Sequence, residues 1–161
     1  IHVNRCILIL YHRKGVQDMK QITKTRKAVA TMANELRKLG YSLAEAFRKA
    51  WKRIKEGMVV RAAGVTFSNR QKLLQFIAGR NPEELTTYLR RDRANTFDKY
   101  AVAVVVGIKG IGYAHIGYLP KGISQSVAVL LDSGMKLQAD AKVIGGYATK
   151  ETFGALVSIT I

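Results

Sequence analysis

The sequence has few of the residues that cross-link or sharply turn a chain, since its 161 residues include one cysteine and two prolines. Cys6 has no partner for an internal disulfide, and no cysteine-based zinc cluster can form within one chain. The longest early apolar run, residues 6–11, is too short to cross a bilayer. We therefore expect a soluble protein of the reducing cytoplasm that has no membrane partner.

Acidic residues are also scarce, with 11 Asp and Glu against 27 Lys and Arg, so the formal net charge is +16. Residues 1–58 hold 14 of the basic residues but only 4 of the acidic ones. A surface of this sign attracts polyanions, and we predict nucleic acid as the partner. A general role of the charge in solubility is the alternative.

The ionisable residues offer little to a catalyst. The acidic residues are scattered along the chain, except for the adjacent pair Glu83 and Glu84. His115 is a lone histidine in a predicted strand, which is more typical of packing than of catalysis. Residues 109–112 lack the full spacing of a phosphate-binding loop. We predict that the chain is not an enzyme and uses neither a cofactor nor a metal. A metal-dependent nuclease accessory stays open as an alternative.

Residues 19–57 predict a basic helical hairpin. Between residues 25 and 39 the apolar side chains fall at i, i+3, i+4 and i+7, on one helix face: Val29, Met32, Ala33 and Leu36. Gly40 is expected to end this helix, and the pair Ser42 and Glu45 has the spacing of a capping box that starts a second one. The second helix has an apolar stripe made of Phe47, Ala50, Trp51 and Ile54.

Trp51 is expected to be the core contact of this hairpin. The basic residues off the apolar stripe are candidates for contacts with DNA phosphates or with an acidic protein surface, and a solvated face is the plainer alternative. These candidates are Arg48, Lys52 and Arg53. Residues 25–55 also resemble short helical segments of small phage and mobile-element proteins.

The first eighteen residues are treated apart from the hairpin. Residues 6–11 predict a short apolar strand, which is followed by the basic residues 12–14. The segment fits an upstream extension, a non-native remnant or an edge strand, and we assign it no function.

From Met58 onwards the chain changes to β-branched and alternating segments, so we place a domain boundary there. Strands are predicted at residues 58–65, 85–89, 101–106, 115–119, 136–143 and 157–161. Short helices are predicted at residues 69–77 and 123–131. The strand at 101–106 is apolar throughout, so we expect it to be central and buried on both faces. Residues 58–161 therefore predict an α+β fold, a small antiparallel OB-like β-barrel with two short helices.

Three motifs in this region occur in an order that resembles the HIRAN domain family. Residues 91–102 have a basic-acidic pair, an Asn, an aromatic-Asp pair and a small-aliphatic pair before the predicted central strand. Residues 63–67, Ala-Gly-Val-Thr-Phe, resemble the end of the family's first strand, and residues 116–121, Ile-Gly-Tyr-Leu-Pro-Lys, resemble its strand-to-helix junction. The resemblance implies a modified OB-like barrel of the kind attached to DNA-remodelling helicases, whose best-understood activity is binding a single-stranded DNA 3′ end.

The resemblance also implies roles for individual residues. Phe67 and Phe97 would offer faces on which terminal bases stack, because stacking tolerates any base. Asp98 would accept a hydrogen bond from a free 3′-hydroxyl and repel a phosphate at that place. Lys121 would neutralise a backbone phosphate, and Phe153 would close the pocket. Further basic contacts are expected from Arg70, Arg91, Arg93 and Lys99.

Structural alternatives stay open for several of these residues. Asn95 and Asp98 are also suited to bonding the backbone of a turn, and Phe67 and Phe153 lie at strand boundaries, where they could equally pack in the core. The chain departs from the family pattern at residues 66–68, where Thr-Phe-Ser replaces a row of basic and Tyr residues.

The leading hypothesis is a stand-alone DNA-binding protein that captures a single-stranded end, or branched or damaged DNA, while the hairpin adds non-specific phosphate contacts. The alternative is a phage or mobile-element effector that binds a host protein or a nucleic-acid-guided defence complex. Such a protein would act in the cytoplasm, at the nucleoid or in a phage-infected host. The choice between DNA and RNA stays open.

Overall fold

A computed structural model describes residues 3–147 and 150–161, which form four α-helices, one short 3-10 helix and six strands. The helices are α1 (Val3–Lys38), α2 (Leu43–Glu56), α3 (Arg70–Ala78) and α4 (Lys121–Asp132), with the 3-10 helix at Pro82–Glu84. The strands are β1 (Met58–Arg61), β2 (Leu85–Arg91), β3 (Val102–Ile108), β4 (Gly112–Tyr118), β5 (Gln138–Tyr147) and β6 (Lys150–Thr160). The predicted α+β class is confirmed.

The six strands form one antiparallel sheet, in the order β1-β6-β5-β2-β3-β4, which curls into a half-barrel. The pairing between β5 and β2 is short: it consists of Thr87 opposite Ala139, next to a bond from the Ala141 N–H to the Thr87 hydroxyl at 2.9 Å. The sheet therefore has two well-paired parts, β1-β6-β5 and β2-β3-β4.

β3 is buried on both faces, as its apolar sequence predicts. Val104 and Val106 face the main hydrophobic core. Ala103 and Val105 point to the opposite face, yet their exposed fractions are only 1% and 7%, because the larger side chains paired beside them on β2 and β4 cover them. β3 is an interior strand of the sheet, since it pairs with β2 on one side and with the edge strand β4 on the other.

α1 and α2 form the predicted hairpin. Gly40, at φ +94°, follows α1, and the Tyr41 N–H bonds back to the Leu36 carbonyl at 3.3 Å in the manner of a glycine-terminated helix. The capping box is confirmed, because the Ser42 hydroxyl accepts the Glu45 N–H while the Glu45 carboxylate accepts the Ser42 N–H.

The prediction of a strand near the N-terminus is wrong. α1 begins at Val3 and continues to Lys38, so residues 6–11 lie in a helix. A helix gains one backbone bond for each residue added, whereas a strand is stable only when it pairs with another strand. Residues 1 and 2 lie outside the described part of the chain. No helix within the described residues combines the length and apolarity that a bilayer span requires.

Trp51 does not fill the hairpin core, so this prediction is wrong too. Its side chain is 50% exposed and that of Phe47 is 41% exposed, whereas Ala46 and Ala50 are fully buried. The two alanines lie four residues apart on one helix face and let α1 approach closely. Phe47 and Trp51 each follow an alanine by one residue, which rotates them about 100° away from α1.

α1 also packs against α4, so one hydrophobic core runs from the hairpin into the half-barrel. Glu35 of α1 is 5% exposed and accepts hydrogen bonds from Gln125 of α4 at 3.0 Å and from Lys38 at 2.8 Å. Burial by itself would raise the pKa of Glu35, but the hydrogen bonds from Lys38 and Gln125 hold it below its ordinary value. The carboxylate is therefore a satisfied ion at the junction between the hairpin and the half-barrel.

Candidate nucleic-acid interface

The three sequence motifs meet at Tyr118, the last residue of β4. On one side, Tyr118 and Ala63 exchange backbone hydrogen bonds of 2.9 and 2.7 Å. On the other side, the Tyr118 hydroxyl donates to Asp92 Oδ2 at 2.8 Å. Residues 62–69, 92–101 and 118–121 thus form one group, which we call the loop cluster.

Gly117 lets the first of these loops lie against β4. A Cβ at this position would stand 2.7 Å from the Ala63 carbonyl oxygen and 3.3 Å from Val65 Cγ1. No real side chain tolerates the shorter distance, so the close approach requires glycine.

Asn95 shapes the loop that carries Phe97. Its Oδ1 accepts the N–H groups of Phe97 and Asp98, both at 3.0 Å, while its Nδ2 donates to Asp92 at 3.4 Å. These are the turn-stabilising bonds that were one alternative for Asn95. They fix a loop on which the Phe97 ring is 92% exposed.

Asp98 is bonded to the turn and also faces α4. Its Oδ1 accepts the Tyr100 N–H at 2.8 Å, and its Oδ2 accepts the Ser124 hydroxyl at 3.3 Å. The same Ser124 hydroxyl lies 3.3 Å from the carbonyl oxygen of Lys121, whose side chain is exposed at the start of α4. A carboxylate has about four acceptor positions, so a half-buried Asp98 with two bonds keeps capacity for another hydroxyl.

Phe67 is displayed on the other loop and is not a core residue, since its ring is 73% exposed. The Arg70 guanidinium lies 5.9 Å from the centre of the Phe67 ring and 5.2 Å from that of Tyr118. It also donates to the Gly64 carbonyl at 2.8 Å. Arg70 therefore joins the two aromatic rings and carries a positive charge between them.

The basic residues beside Phe97 differ in accessibility. The Arg91 side chain is 13% exposed, pairs with Asp132 at 3.2 Å and donates to the Lys99 carbonyl at 3.0 Å. Arg93 reaches Asp132 at 2.9 Å but is 75% exposed, and Lys99 is exposed as well. The bond from Arg93, followed by that from Arg91, lowers the pKa of Asp132. Arg91 thus holds the loop to α4, while Arg93 and Lys99 are accessible to a phosphate.

Phe153 lies beside the 62–69 loop. It is half-buried against the core, and its backbone N–H and carbonyl each bond to the Gln71 side chain at 2.9 Å. Its ring covers Gly146, where any Cβ would collide with it. Phe153 also lines a cavity of about 230 Å³ together with Thr66 and Val65. The contacts place Phe153 near the Phe67 loop rather than showing it as a lid over Asp98.

The basic residues of α2 form a second surface. Arg48 and Lys52 are exposed, and Lys52 lies 3.9 Å from Glu56. Arg53 is half-buried, and its Nη1 is buried with no hydrogen-bond partner among the described residues. α2 packs against α1, which in turn packs against α4.

Sequence reasoning missed the pair Tyr118 and Asp92, although each lies within a motif. Burial, and then the bond to Asp92, raise the pKa of Tyr118. The same hydroxyl is the main cause that lowers the pKa of Asp92, with Asn95 also contributing. At neutral pH a protonated phenol therefore donates to a charged carboxylate, and this bond ties two motifs together. Only the fold shows that the two residues meet.

His115 extends the aromatic surface from Tyr118. The two rings make an edge-to-face contact with centroids 4.7 Å apart, and His115 Nε2 donates to the Gly117 carbonyl at 2.9 Å. Burial, and then the nearby Arg70 charge, lower the pKa of His115, so its ring is neutral at neutral pH. Within the described residues, no three His, Cys, Asp or Glu side chains come together as a metal site.

Comparisons of the chain with protein-family models, with curated proteins and with solved structures found no match. The resemblance to the HIRAN domain stays a prediction that rests on the three motifs.

Proposed function

We propose that this chain binds nucleic acid through the loop cluster and captures the 3′ end of a single-stranded DNA. Phe97 carries the proposal, because its ring is 92% exposed on a turn that Asn95 and Asp98 fix by hydrogen bonds. A base that stacks on this ring would bury apolar surface that the fold leaves in water. The net charge of +16 supports a polyanionic partner. Binding of this kind requires no reaction.

The neighbours of Phe97 support the choice of a 3′-hydroxyl end. Asp98 is a charge-bearing acceptor at the foot of the Phe97 turn, and a hydroxyl would donate to it whereas a phosphate would be repelled. The exposed Lys121, at the start of α4, would contact the phosphate one step inside the strand. Branched or damaged DNA that exposes such an end would be bound in the same way.

We also propose that the half-barrel is OB-like and that the chain is a HIRAN domain protein. Support comes from the meeting of the three motifs at Tyr118, through the bonds to Ala63 and to Asp92. OB-like barrels bind single strands by combining basic grooves with aromatic stacking, and the loop cluster has both kinds of side chain.

Matched oligonucleotides test this function. The full chain is titrated with labelled strands that differ in strandedness, in sugar and in a 3′-hydroxyl or 3′-phosphate terminus. Phe97→Ala should weaken binding on the order of tenfold, because one stacked base is lost. Asp98→Asn keeps an oxygen for the Tyr100 N–H and a polar group for Ser124, so the loop is retained. This variant should lose the preference for the 3′-hydroxyl while still binding.

Asp140→Asn is the matched control, since it removes one exposed carboxylate from β5, away from the loop cluster. It should leave both affinity and end preference unchanged. Equal affinity of the natural chain for the two termini would overturn end recognition. Failure to bind any nucleic acid would overturn the function itself.

One observation favours a second function, binding to a protein partner as an effector of a phage or mobile element. Three apolar side chains four residues apart stand exposed along α2, which we call the α2 stripe: Leu43 (55%), Phe47 (41%) and Trp51 (50%). Arg48 and Lys52 flank the stripe. An apolar protein surface bordered by acidic residues would complement both features.

Affinity capture with matched variants separates the two functions. For an effector, a stoichiometric complex with a host protein should survive nuclease and high salt, and it should be lost in Phe47→Ser combined with Trp51→Ser. Asp98→Asn should not affect it. If the partner is released by nuclease, DNA mediates the capture and the effector function is wrong.

A further inference from the structure

The outer face of β2-β3-β4 carries aromatic side chains beyond the loop cluster. In an antiparallel sheet, residues paired across strands point to the same face. One row therefore joins Arg90, Ala103 and Tyr118, the next joins Tyr88, Val105 and His115, and the third joins Thr86, Gly107 and Tyr113. In each row the β3 residue is smaller than its neighbours on β2 and β4. The larger side chains of β2 and β4 therefore border a shallow track along β3.

Two exposed tyrosines end this track. Tyr88 is 46% exposed and Tyr113 is 78% exposed, with ring centroids 5.9 Å apart at an angle of 63°. Gly107 lies beneath them, and a Cβ there would be 3.0 Å from Tyr88 Cε2 and 3.3 Å from Tyr113 Cε1. The glycine lets both rings lie close over the strand and leaves their outer surfaces in water. We call Tyr88 and Tyr113 the tyrosine platform.

The two ends of the track differ in the charged residues that lie beside them. Arg90 and Arg70 lie at the loop-cluster end, close enough to His115 to lower its pKa together with burial, which is the main cause. At the far end, Glu83, Glu84 and Lys109 line the recess around the platform, with Glu84 4.0 Å from Arg80. Phosphates would be attracted at the first end and less so at the second, where bases have exposed rings available for stacking.

We propose that the tyrosine platform binds a base of the same DNA strand several nucleotides before its 3′ end, so that the strand follows the outer face of β2-β3-β4. The proposal rests on the proposed function of the loop cluster. Ala103 and Gly107, which mark the two ends of the track, are four residues apart on β3, about 13 Å at the rise of a strand. A stacked single strand with about 3.4 Å per nucleotide covers this distance in about four nucleotides.

The test is the dependence of affinity on oligonucleotide length. The full chain is titrated with 5′-labelled thymidine oligonucleotides of increasing length, all with a 3′-hydroxyl. Affinity of the natural chain should rise on the order of tenfold once the strand is long enough to reach the platform, and then level off. Tyr113→Ala should remove this gain but leave the affinity for the shortest strand unchanged. Tyr113→Phe, which keeps the ring, should retain the gain.

Tyr147→Ala is the matched control, because Tyr147 is 59% exposed but lies at the end of β5, outside the three rows. It should reproduce the natural length profile. If Tyr113→Ala also reproduces that profile, the platform inference is wrong while the proposed function stands. If Tyr113→Ala weakens the shortest strand as much as the longest, the platform is again wrong, since its effect would not be local. A natural chain that binds no oligonucleotide would overturn both.

Discussion

The loop cluster and the α1-α2 hairpin both display aromatic rings, but they hold them in different ways. In the loop cluster, Phe97 stands on a turn in which backbone N–H groups donate hydrogen bonds to the side chains of Asn95 and Asp98. On the hairpin, Phe47 and Trp51 stand on a regular helix, α2, whose buried alanine face packs against α1. The loop cluster therefore depends on a few polar bonds, whereas the hairpin depends on close packing of its inner face.

The two regions also differ in the contacts that their charged side chains make. Arg91 and Asp132 are paired at the loop cluster, and Arg70 is held between two rings. Arg48 on α2 is exposed. Charges and acceptors held in place by their neighbours can discriminate between chemical groups, while solvent-exposed cations attract any polyanion. We expect selectivity from the loop cluster and general affinity from the hairpin.

The largest effect is expected from overpacking the inner face of α2. Ala50→Leu adds three carbons where the helices touch and should lower the free energy of unfolding by about 3 kcal/mol. Trp51→Ala removes a half-exposed ring and should cost about 1.5 kcal/mol, less than the overpacking. Urea unfolding of the two variants measures both values. A greater loss from Trp51→Ala would show that the indole, and not the alanine face, stabilises the hairpin.

A similar but smaller loss of stability is expected where the 62–69 loop packs against β4. Gly117→Ala places a Cβ against the Ala63 carbonyl, so the 62–69 loop must move and stability should fall by about 2 kcal/mol. Gly122→Ala is the matched control, because a Cβ on that residue of α4 meets no atom within 4 Å. Alanine favours a helix, so the control should be stabilised by up to about 1 kcal/mol. Thermal unfolding separates the pair, and equal melting temperatures would contradict the account of Gly117.

Removing the hydroxyl that joins two motifs should have a smaller effect that depends on pH. Tyr118→Phe loses the bond to Asp92 and should cost about 1 kcal/mol at pH 7. The hydroxyl lowers the pKa of Asp92 in the folded protein. A lowered folded pKa gives stability that is present above the unfolded value, about 3.9, and is lost as pH falls through the folded one.

The stabilities of the natural chain and of Tyr118→Phe should therefore differ at neutral pH and converge below about pH 4. Urea unfolding at several pH values measures the difference. Asp132 also has a lowered pKa, but its partners Arg91 and Arg93 are unchanged in the variant, so its contribution cancels. A difference that stays constant down to pH 2 would show that the lost bond does not involve a charged Asp92.

Local sequence patterns predicted most of the helices and strands. The capping box at Ser42 and Glu45, the glycine end of α1 and the alternation in β5 depend on neighbouring residues, and all are present in the structure. The burial of β3 on both faces also followed from its apolar sequence. These features are set by backbone bonding and side-chain spacing within a few residues, which a sequence shows directly.

The predictions that were wrong or incomplete concern contacts between residues that are far apart in the sequence. Trp51 was expected inside because it lies on the apolar stripe of α2, but α1 packs on Ala50 and leaves the indole half-exposed. The bond between Tyr118 and Asp92 spans 26 residues, and nothing in either motif indicates it. Spacing defines which residues share a face, but the partner helix or loop determines which face is buried.

The smallest effect is expected from the exposed charges of α2, and it is a change in the salt dependence of DNA binding. Each phosphate contact on a single strand contributes about 0.7 to the slope of log K against log salt concentration. If the hairpin contacts the strand, Arg48→Gln combined with Lys52→Gln should reduce that slope by up to about 1.4 and keep the preference for a 3′-hydroxyl. Lys121→Gln should reduce the slope by about 0.7. Lys136→Gln combined with Lys142→Gln removes two exposed charges at or next to β5, outside both the hairpin and the loop cluster, and serves as the control. Equal slopes for the two double variants would mean that α2 attracts DNA only through the net charge and makes no phosphate contact of its own.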